Sequence, residues 1–181
     1  MPGNLIKNPN GDEGLEHWDL TENGGNQWRV EDMPGDCGYA HNDEFITKYF
    51  CTSFQLCKKR QVIDLLAEGY EPDNLDIAQP AVTVEDWYSG RTDCGCIYEL
   101  TVSLLDESHE VITELKPDEV TLDPGRWRLL MEKSKPNVSH TFTDYGPGLR
   151  FISFEHGGQD TKYWQGWFGV RVTGSSVTVD V

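Results

Sequence analysis

Ile97-Tyr98-Glu99-Leu100-Thr101-Val102-Ser103-Leu104-Leu105 sets Tyr98, Leu100, Val102 and Leu104 on one face and Glu99, Thr101 and Ser103 on the other. A repeat of two belongs to an extended strand, because successive side chains point to opposite sides of a pleated chain. The run therefore predicts a strand with one face in a core and the other in solvent. Ser175 to Val181 repeats the pattern, with Val177, Val179 and Val181 set against Ser176, Thr178 and Asp180. Gln61 to Ala67 is apolar on both faces apart from Asp64, which predicts a strand covered on both sides.

Outward from these runs, further strands are predicted at Ala81 to Trp87, Val111 to Leu115, Trp127 to Met131, Val138 to Tyr145 and Leu149 to His156. Turn signals separate them: Glu71-Pro72-Asp73-Asn74, Lys116-Pro117-Asp118, Asp123-Pro124-Gly125 and Gly146-Pro147-Gly148. Helical periodicity is nearly absent and no internal repeat stands out. The pattern predicts an all-β, antiparallel β-sandwich. A chain of 181 residues fits one domain with a core that needs no staples. The N-terminal segment, residues 1–36, is rich in Gly, Asn and acids but carries Leu5, Ile6, Trp18 and Trp28. It is expected to pack on the sandwich as extended chain with one or two short strands.

Charge narrows the function. Fifteen Lys and Arg against 31 Asp and Glu give a net charge of −16, which argues against nucleic acid and anionic membrane as partners. Lys58-Lys59-Arg60, the only basic run, reads as a solvated strand edge. No apolar run approaches the ~18 residues of a membrane span. Met1-Pro2-Gly3-Asn4 lacks the profile of a secretory signal, so a cytoplasmic location is expected. The five cysteines, Cys37, Cys51, Cys57, Cys94 and Cys96, are odd in number and irregular in spacing, as suits reduced thiols. Cys94-Gly95-Cys96 is too tight for a zinc knuckle, and the acids form no calcium loop, so neither metal nor cofactor is expected. Asn137-Val138-Ser139 fits the glycosylation pattern, which carries no meaning in a cytosolic chain.

The stretch from His156 to Gly169 packs Tyr163, Trp164, Trp167 and Phe168 among glycines and polar residues, and reads as a loop. Aromatic side chains lose little entropy on ordering and offer broad apolar faces, two of them with a polar handle. A sugar ring, with axial C–H groups bordered by hydroxyls, is the complementary surface. Tyr163 and Trp164 are the expected platform, whereas Trp167 and Phe168 read as core. An enzyme is not expected. The five histidines are scattered, Gly-x-Ser-x-Gly is missing, and Glu155 and His156 fall on opposite faces of a strand. Asp86 and Asp160 form a glycosidase-like pair only if their loops converge.

Asn4-Leu5-Ile6-Lys7-Asn8-Pro9, Asn23-Gly24-Gly25 followed by Trp28, Lys48-Tyr49-Phe50, Gln61-Val62-Ile63-Asp64-Leu65, Glu68-Gly69-Tyr70, Asp86-Trp87-Tyr88-Ser89-Gly90-Arg91, His140-Thr141-Phe142, Phe154-Glu155-His156-Gly157-Gly158 and Tyr163-Trp164 through Gly166-Trp167 together resemble the F-box-associated domain. More narrowly, the chain looks like the substrate-binding domain of the sugar-recognising F-box proteins, from Asn4 to its end. The resemblance implies a jelly-roll, galactose-binding-like sandwich that binds the inner chitobiose of N-linked high-mannose glycans in the cytosol. It also implies a role in ubiquitin-ligase-mediated degradation of glycoproteins, with a Skp1–cullin ligase recruited by an F-box that this chain does not carry. The alternative it leaves open is a protein–protein adaptor without glycan binding, as in the non-specific cytotoxic cell receptor relatives.

Carried over by position, the family's glycan pocket falls on Phe50, Asp86, Trp87, Tyr163, Trp164 and Gln165. Phe50 and Trp164 would face the glucosamine rings, Asp86 would accept hydrogen bonds and Tyr163 would offer its phenol. Gln165 stands where a glycan-binding relative has lysine. Glu71-Pro72-Asp73-Asn74 replaces a Trp-Glu-Glu run outside the pocket. On this reading Asp86→Ala and Trp164→Ala both abolish binding while stability barely moves.

Overall fold

A computed structural model of the chain describes residues 3–41, 43–122, 128–129 and 140–180. The described strands are β1 (Asp19–Asn23), β2 (Arg29–Asp32), β3 (Lys48–Cys51), β4 (Cys57–Asp64), β5 (Val82–Ser89), β6 (Cys96–Leu105), β7 (Val111–Leu115), β8 (Val120–Leu122), β9 (Arg128–Leu129), β10 (His140–Phe142), β11 (Phe151–Asp160) and β12 (Arg171–Val179). A single helical turn covers Asn74–Ala78. Among the described residues no helix is long and apolar enough to cross a membrane. The Asp123-Pro124-Gly125 turn, the Asn137-Val138-Ser139 pattern and parts of the strands predicted at Trp127 to Met131 and Val138 to Tyr145 lie outside the described residues.

One sheet runs β1-β4-β11-β6-β7, with β8 beside the first residues of β6 and β7 beside its last. The other runs β10-β5-β12-β3-β2, and β9 and β10 divide the outer edge of β5 in the same way. Both sheets are antiparallel throughout, as the predicted sandwich requires. The N-terminal segment supplies a strand to each sheet. Asn4 pins its start by accepting from the Val177 N–H at 3.0 Å and donating to the Ser175 carbonyl at 2.9 Å.

β6 turns Tyr98, Leu100, Val102 and Leu104 inward, all buried, as its alternation predicts. Burying each such side chain stabilises the fold by about 1.5–3 kcal/mol. From the facing sheet Val82, Val84, Val177 and Val179 close on them. β11 lies between β4 and β6, and two glycines let it do so. A Cβ on Gly157 would stand 1.9 Å from the Cys57 carbonyl oxygen, and one on Gly158 1.7 Å from that of Ile97. His156 to Asp160 is thus strand rather than loop, which corrects the reading of that stretch.

β4 also departs from expectation. It starts at Cys57 rather than Gln61, and it alternates: Cys57, Lys59, Gln61 and Ile63 point inward while Val62 is half-exposed. Lys59 is not a solvated edge residue but is 0% exposed. Its Nζ lies 3.1 Å from the centre of the Trp18 ring and 3.8 Å from that of Phe50, where the aromatic faces attract a cation. It is also 2.7 Å from His156 Nε2, and His156 Nδ1 is 2.6 Å from Asp86 Oδ2. The Tyr98 hydroxyl donates to that same oxygen, and Ser175 Oγ donates to Asp86 Oδ1 at 2.7 Å.

All five side chains of this relay are buried, and they join β4, β11, β5, β6 and β12. Lost hydration holds the Lys59 amine well below its ordinary range, with the Asp86 charge opposing. Burial lowers His156 too, against the pull of Asp86. Tyr98 is pushed well up, first by burial and then by the neighbouring carboxylate. The acceptor at Nδ1 requires His156 to carry its proton there, leaving Nε2 to accept from Lys59.

Candidate functional site

β11 ends at Asp160, which is buried, and its Oδ1 accepts from the N–H groups of Lys162 at 3.1 Å and Tyr163 at 2.7 Å. A carboxylate receiving two successive amides turns the chain sharply, and Tyr163 takes the left-handed conformation at φ 57°. The segment from Thr161 to Val170 then crosses to β12 with no strand of its own. Its backbone is nonetheless tied down: Thr161 N–H donates to the Gly95 carbonyl at 3.0 Å, Gly166 N–H to Asn26 Oδ1 at 2.6 Å and Gly169 N–H to the Thr52 carbonyl at 3.2 Å. Ser53 Oγ donates to the Gly166 carbonyl at 2.6 Å, and the Trp167 indole donates to the Gln27 carbonyl at 2.7 Å.

The rings divide between anchors and open faces. Trp167 packs on Tyr49 and Cys51 with the Arg29 guanidinium 3.7 Å from its ring centre. Phe168 lies under the Arg91 guanidinium at 4.3 Å and meets Trp164 edge to face at 5.3 Å. Arg91 is itself held by a two-pronged pair with Asp93 at 2.7 and 2.8 Å, which pulls the Asp93 carboxyl down to about 2. Against these anchors Trp164 remains 44% exposed and Tyr163 68%, with Gln165 exposed beside them. The arrangement offers two adjacent rings and an amide to solvent on a backbone that is already ordered.

Three predicted pocket residues therefore share the surface of one loop: Tyr163, Trp164 and Gln165. Trp87, half-buried on the outer side of β5, packs on the same Tyr49–Cys51 cluster as Trp167, with the His41 ring edge-on at 4.5 Å. Phe50 and Asp86 differ. Both point inward and are 0% exposed, Phe50 against the edges of Trp18 and Trp28 and Asp86 within the relay. The direct contact with sugar expected of them is corrected to a role in the interior, because both side chains are fully enclosed there by rings or internal hydrogen-bond donors. Asp86 and Asp160 do not form an open carboxyl pair, since each is buried and engaged by its own donors.

Phe54 lies outside the six residues that the family resemblance places in the pocket. It is half-buried in the turn between β3 and β4, next to the Ser53 that grips Gly166, and so belongs to the surroundings of the aromatic loop. Its signal was present, an aromatic residue following Thr52-Ser53 just past a strand. Two surface grooves lie elsewhere, of about 470 Å³ beside Lys7, Arg60 and Glu68 and about 560 Å³ beside Lys58, Glu99 and Glu155. Ion pairs line both, Lys7 with Glu68 at 3.2 Å and Lys58 with Glu155 at 3.7 Å, and neither groove is lined by Phe, Tyr or Trp. All five cysteines are free thiols, four of them buried.

Comparison with known proteins gives this geometry a family. The model of the F-box associated region matches residues 1–179. F-box only protein 2 of Bos taurus is 55% identical over 98% of this chain and 59% of its own length. F-box only protein 44 of Homo sapiens is 44% identical over 97% of this chain and 67% of its own length. The chain thus spans little more than half of the bovine relative. Among solved structures, TmCBM61 in complex with beta-1,4-galactotriose has a TM-score of 0.53 at 13% identity, with 97% of each chain covered. The CBM22-1 xylan-binding domain of Paenibacillus barcinonensis Xyn10C has a TM-score of 0.50 at 7% identity, covering 99% of this chain and 93% of that one. Those two likenesses show the fold, a β-sandwich of jelly-roll type. A match over residues 1–179, with 55% identity to a relative, settles the kinship: the chain belongs to the F-box associated (FBA) family.

Proposed function

We propose that this FBA domain is a carbohydrate-binding module that takes the inner chitobiose of N-linked high-mannose glycans on the Tyr163–Trp164 face. The observation that carries the reading is the pairing of two consecutive exposed rings with a backbone hydrogen-bonded to three other loops. Stacking on a pre-ordered ring avoids the entropy cost of fixing the loop at the moment of binding. Gln165 adds a donor and an acceptor where a lysine would add a charge, which suits a neutral sugar. Two solved structures that share the fold are carbohydrate-binding proteins, one of them holding a galactotriose. The act is binding without chemistry.

Within a longer F-box protein of the kind its relatives are named for, the domain would select glycoproteins in the cytosol for a Skp1–cullin ubiquitin ligase. A small, exposed site binds with modest strength, and attachment to a multisubunit ligase raises the effective affinity. Titration calorimetry with N,N′-diacetylchitobiose tests the reading: the wild-type chain gives a binding isotherm and Trp164→Ala gives none. Equal binding by both proteins would remove the Tyr163–Trp164 platform. The net charge of −16 favours a second reading, an adaptor that meets a basic protein on its acidic surface. Partner capture that weakens steeply with salt, together with no chitobiose isotherm, is the result that selects it.

A further inference from the structure

The aromatic loop has no strand partner, so its shape comes from the groups that hold its backbone, among them those on Gly166, the residue directly after Tyr163-Trp164-Gln165. Both backbone groups of Gly166 are taken by side chains from other loops. Its N–H donates to Asn26 Oδ1 at 2.6 Å, and its carbonyl accepts from Ser53 Oγ at 2.6 Å. Ser53 Oγ in turn accepts from the Asn26 N–H at 2.9 Å. Asn26, Ser53 and Gly166 thereby close a ring of three hydrogen bonds across the β1–β2, β3–β4 and β11–β12 connections. The next loop residue repeats the link, with the Trp167 indole on the Gln27 carbonyl and Arg29 over the Trp167 ring. At its other end the loop is held by Asp160, so the three residues between are fixed from both sides.

We propose that Asn26, 140 residues away in sequence, is a positioning residue for the sugar platform, and that the β1–β2 turn Gly24–Gln27 is a built part of the binding site. This rests on the reading of Tyr163 and Trp164 as a sugar-binding face. Asn26 touches no ligand. It acts by holding the Gly166 amide, and only its acceptor oxygen is used for that. Asp at the same position keeps the acceptor, and Ala removes it.

The test compares the 181-residue chain with Asn26→Ala and Asn26→Asp by two readouts. Hydrogen exchange followed by NMR reports the Gly166 amide and the Trp167 indole without any ligand. Calorimetry with N,N′-diacetylchitobiose reports binding. In Asn26→Ala both protons exchange roughly tenfold faster, and affinity falls about three- to tenfold. The unfolding midpoint stays within about 2 °C, because Asn26 is exposed. Asn26→Asp matches the wild type in both readouts. Unchanged protection in Asn26→Ala overturns the proposal, as does an Asn26→Asp protein that is as loose as the alanine variant. Faster exchange in Asn26→Ala without loss of affinity also overturns it. Should the wild type itself fail to bind chitobiose, the sugar reading falls, while the exchange arm still decides whether Asn26 positions the loop.

Discussion

The relay around Asp86 and the loop around Trp164 use the same kinds of residue, aromatic rings with a few polar groups, and arrange them in opposite senses. In the interior, Asp86 receives Tyr98, His156 and Ser175, and Lys59 is enclosed by the rings of Trp18 and Phe50, so every polar group spends itself on another. On the loop, the hydrogen bonds are spent on backbone and anchors, and two rings are left facing water. A carboxylate whose oxygens already hold internal donors has nothing to offer a ligand, whereas an exposed ring on a fixed backbone does. Residue type marks neither role. Solvent access and unspent hydrogen-bonding capacity do.

The contrast is broken most directly by Asp86→Ala. Removing the one anion of the relay leaves Lys59 and His156 buried without it, which should cost about 3–5 kcal/mol, read as a lower urea midpoint. A midpoint within error of wild type would mean that Asp86 is not locked in the interior. Gly158→Ala comes next. Its Cβ would fall 1.7 Å from the Ile97 carbonyl oxygen, and β6 and β11 must part to admit it. A loss of about 1–3 kcal/mol or more follows in the same denaturation experiment.

A further test is pH. Folded Lys59 and His156 both hold protons less tightly than in the unfolded chain, whose values are ordinary. As pH falls, the unfolded state gains protons that the fold refuses, first below about 10.5 for lysine and then below about 6.5 for histidine. Stability should therefore rise with pH wherever the unfolded groups are protonated and the folded ones are not, up to about pH 10.5 for lysine and about pH 6.5 for histidine, by up to about 1.4 kcal/mol per pH unit for one fully displaced proton. Above pH 9 the buried Cys51, pushed up to about 12 by desolvation, works the other way, since the unfolded thiol ionises first. Lys59→Met should flatten the rise above the histidine range, and an unaltered slope would remove Lys59 as its source. Smallest in stability is Trp164→Ala, expected within about 0.5 kcal/mol because the ring is a surface residue. Its loss of sugar binding with stability intact, set beside Asp86→Ala, sharpens the distinction between the two regions.

Much of the sandwich was legible. The alternation of Ile97 to Leu105 is matched by β6, Val111 to Leu115 is β7 to the residue, and of the strand predicted at Ser175 to Val181 the part from Ser175 to Val179 forms the end of β12, with Asp180 beyond it and Val181 outside the described residues. The short strands β2 and β3 were harder, since four residues such as Lys48-Tyr49-Phe50-Cys51 hold too few repeats for a period to register. β4 was misread because two of its inward positions are Lys59 and Gln61. A polar inward residue breaks the binary pattern unless its partner on another strand is known, and His156 and Asp86 lie 97 and 27 residues further on. At the site, the exposure of Tyr163 and Trp164 could be read because their glycine and polar neighbours mark a loop in the local composition, whereas the distant residues that hold that loop could not. Phe50 and Asp86 could not, because family motifs record that a residue matters without recording whether it faces a ligand or a core.

The sequence by itself determined the class of fold, an antiparallel all-β sandwich, and the aromatic loop, for both follow from local periodicity and local composition. Tertiary structure alone decided that Lys59 and Asp86 meet inside through His156, and that Asn26 and Ser53 hold Gly166. Those choices depend on strand order and on which face of each strand turns inward. Such pairings are made across space by hydrogen bonds between residues far apart in the chain, and no local window of sequence contains both partners.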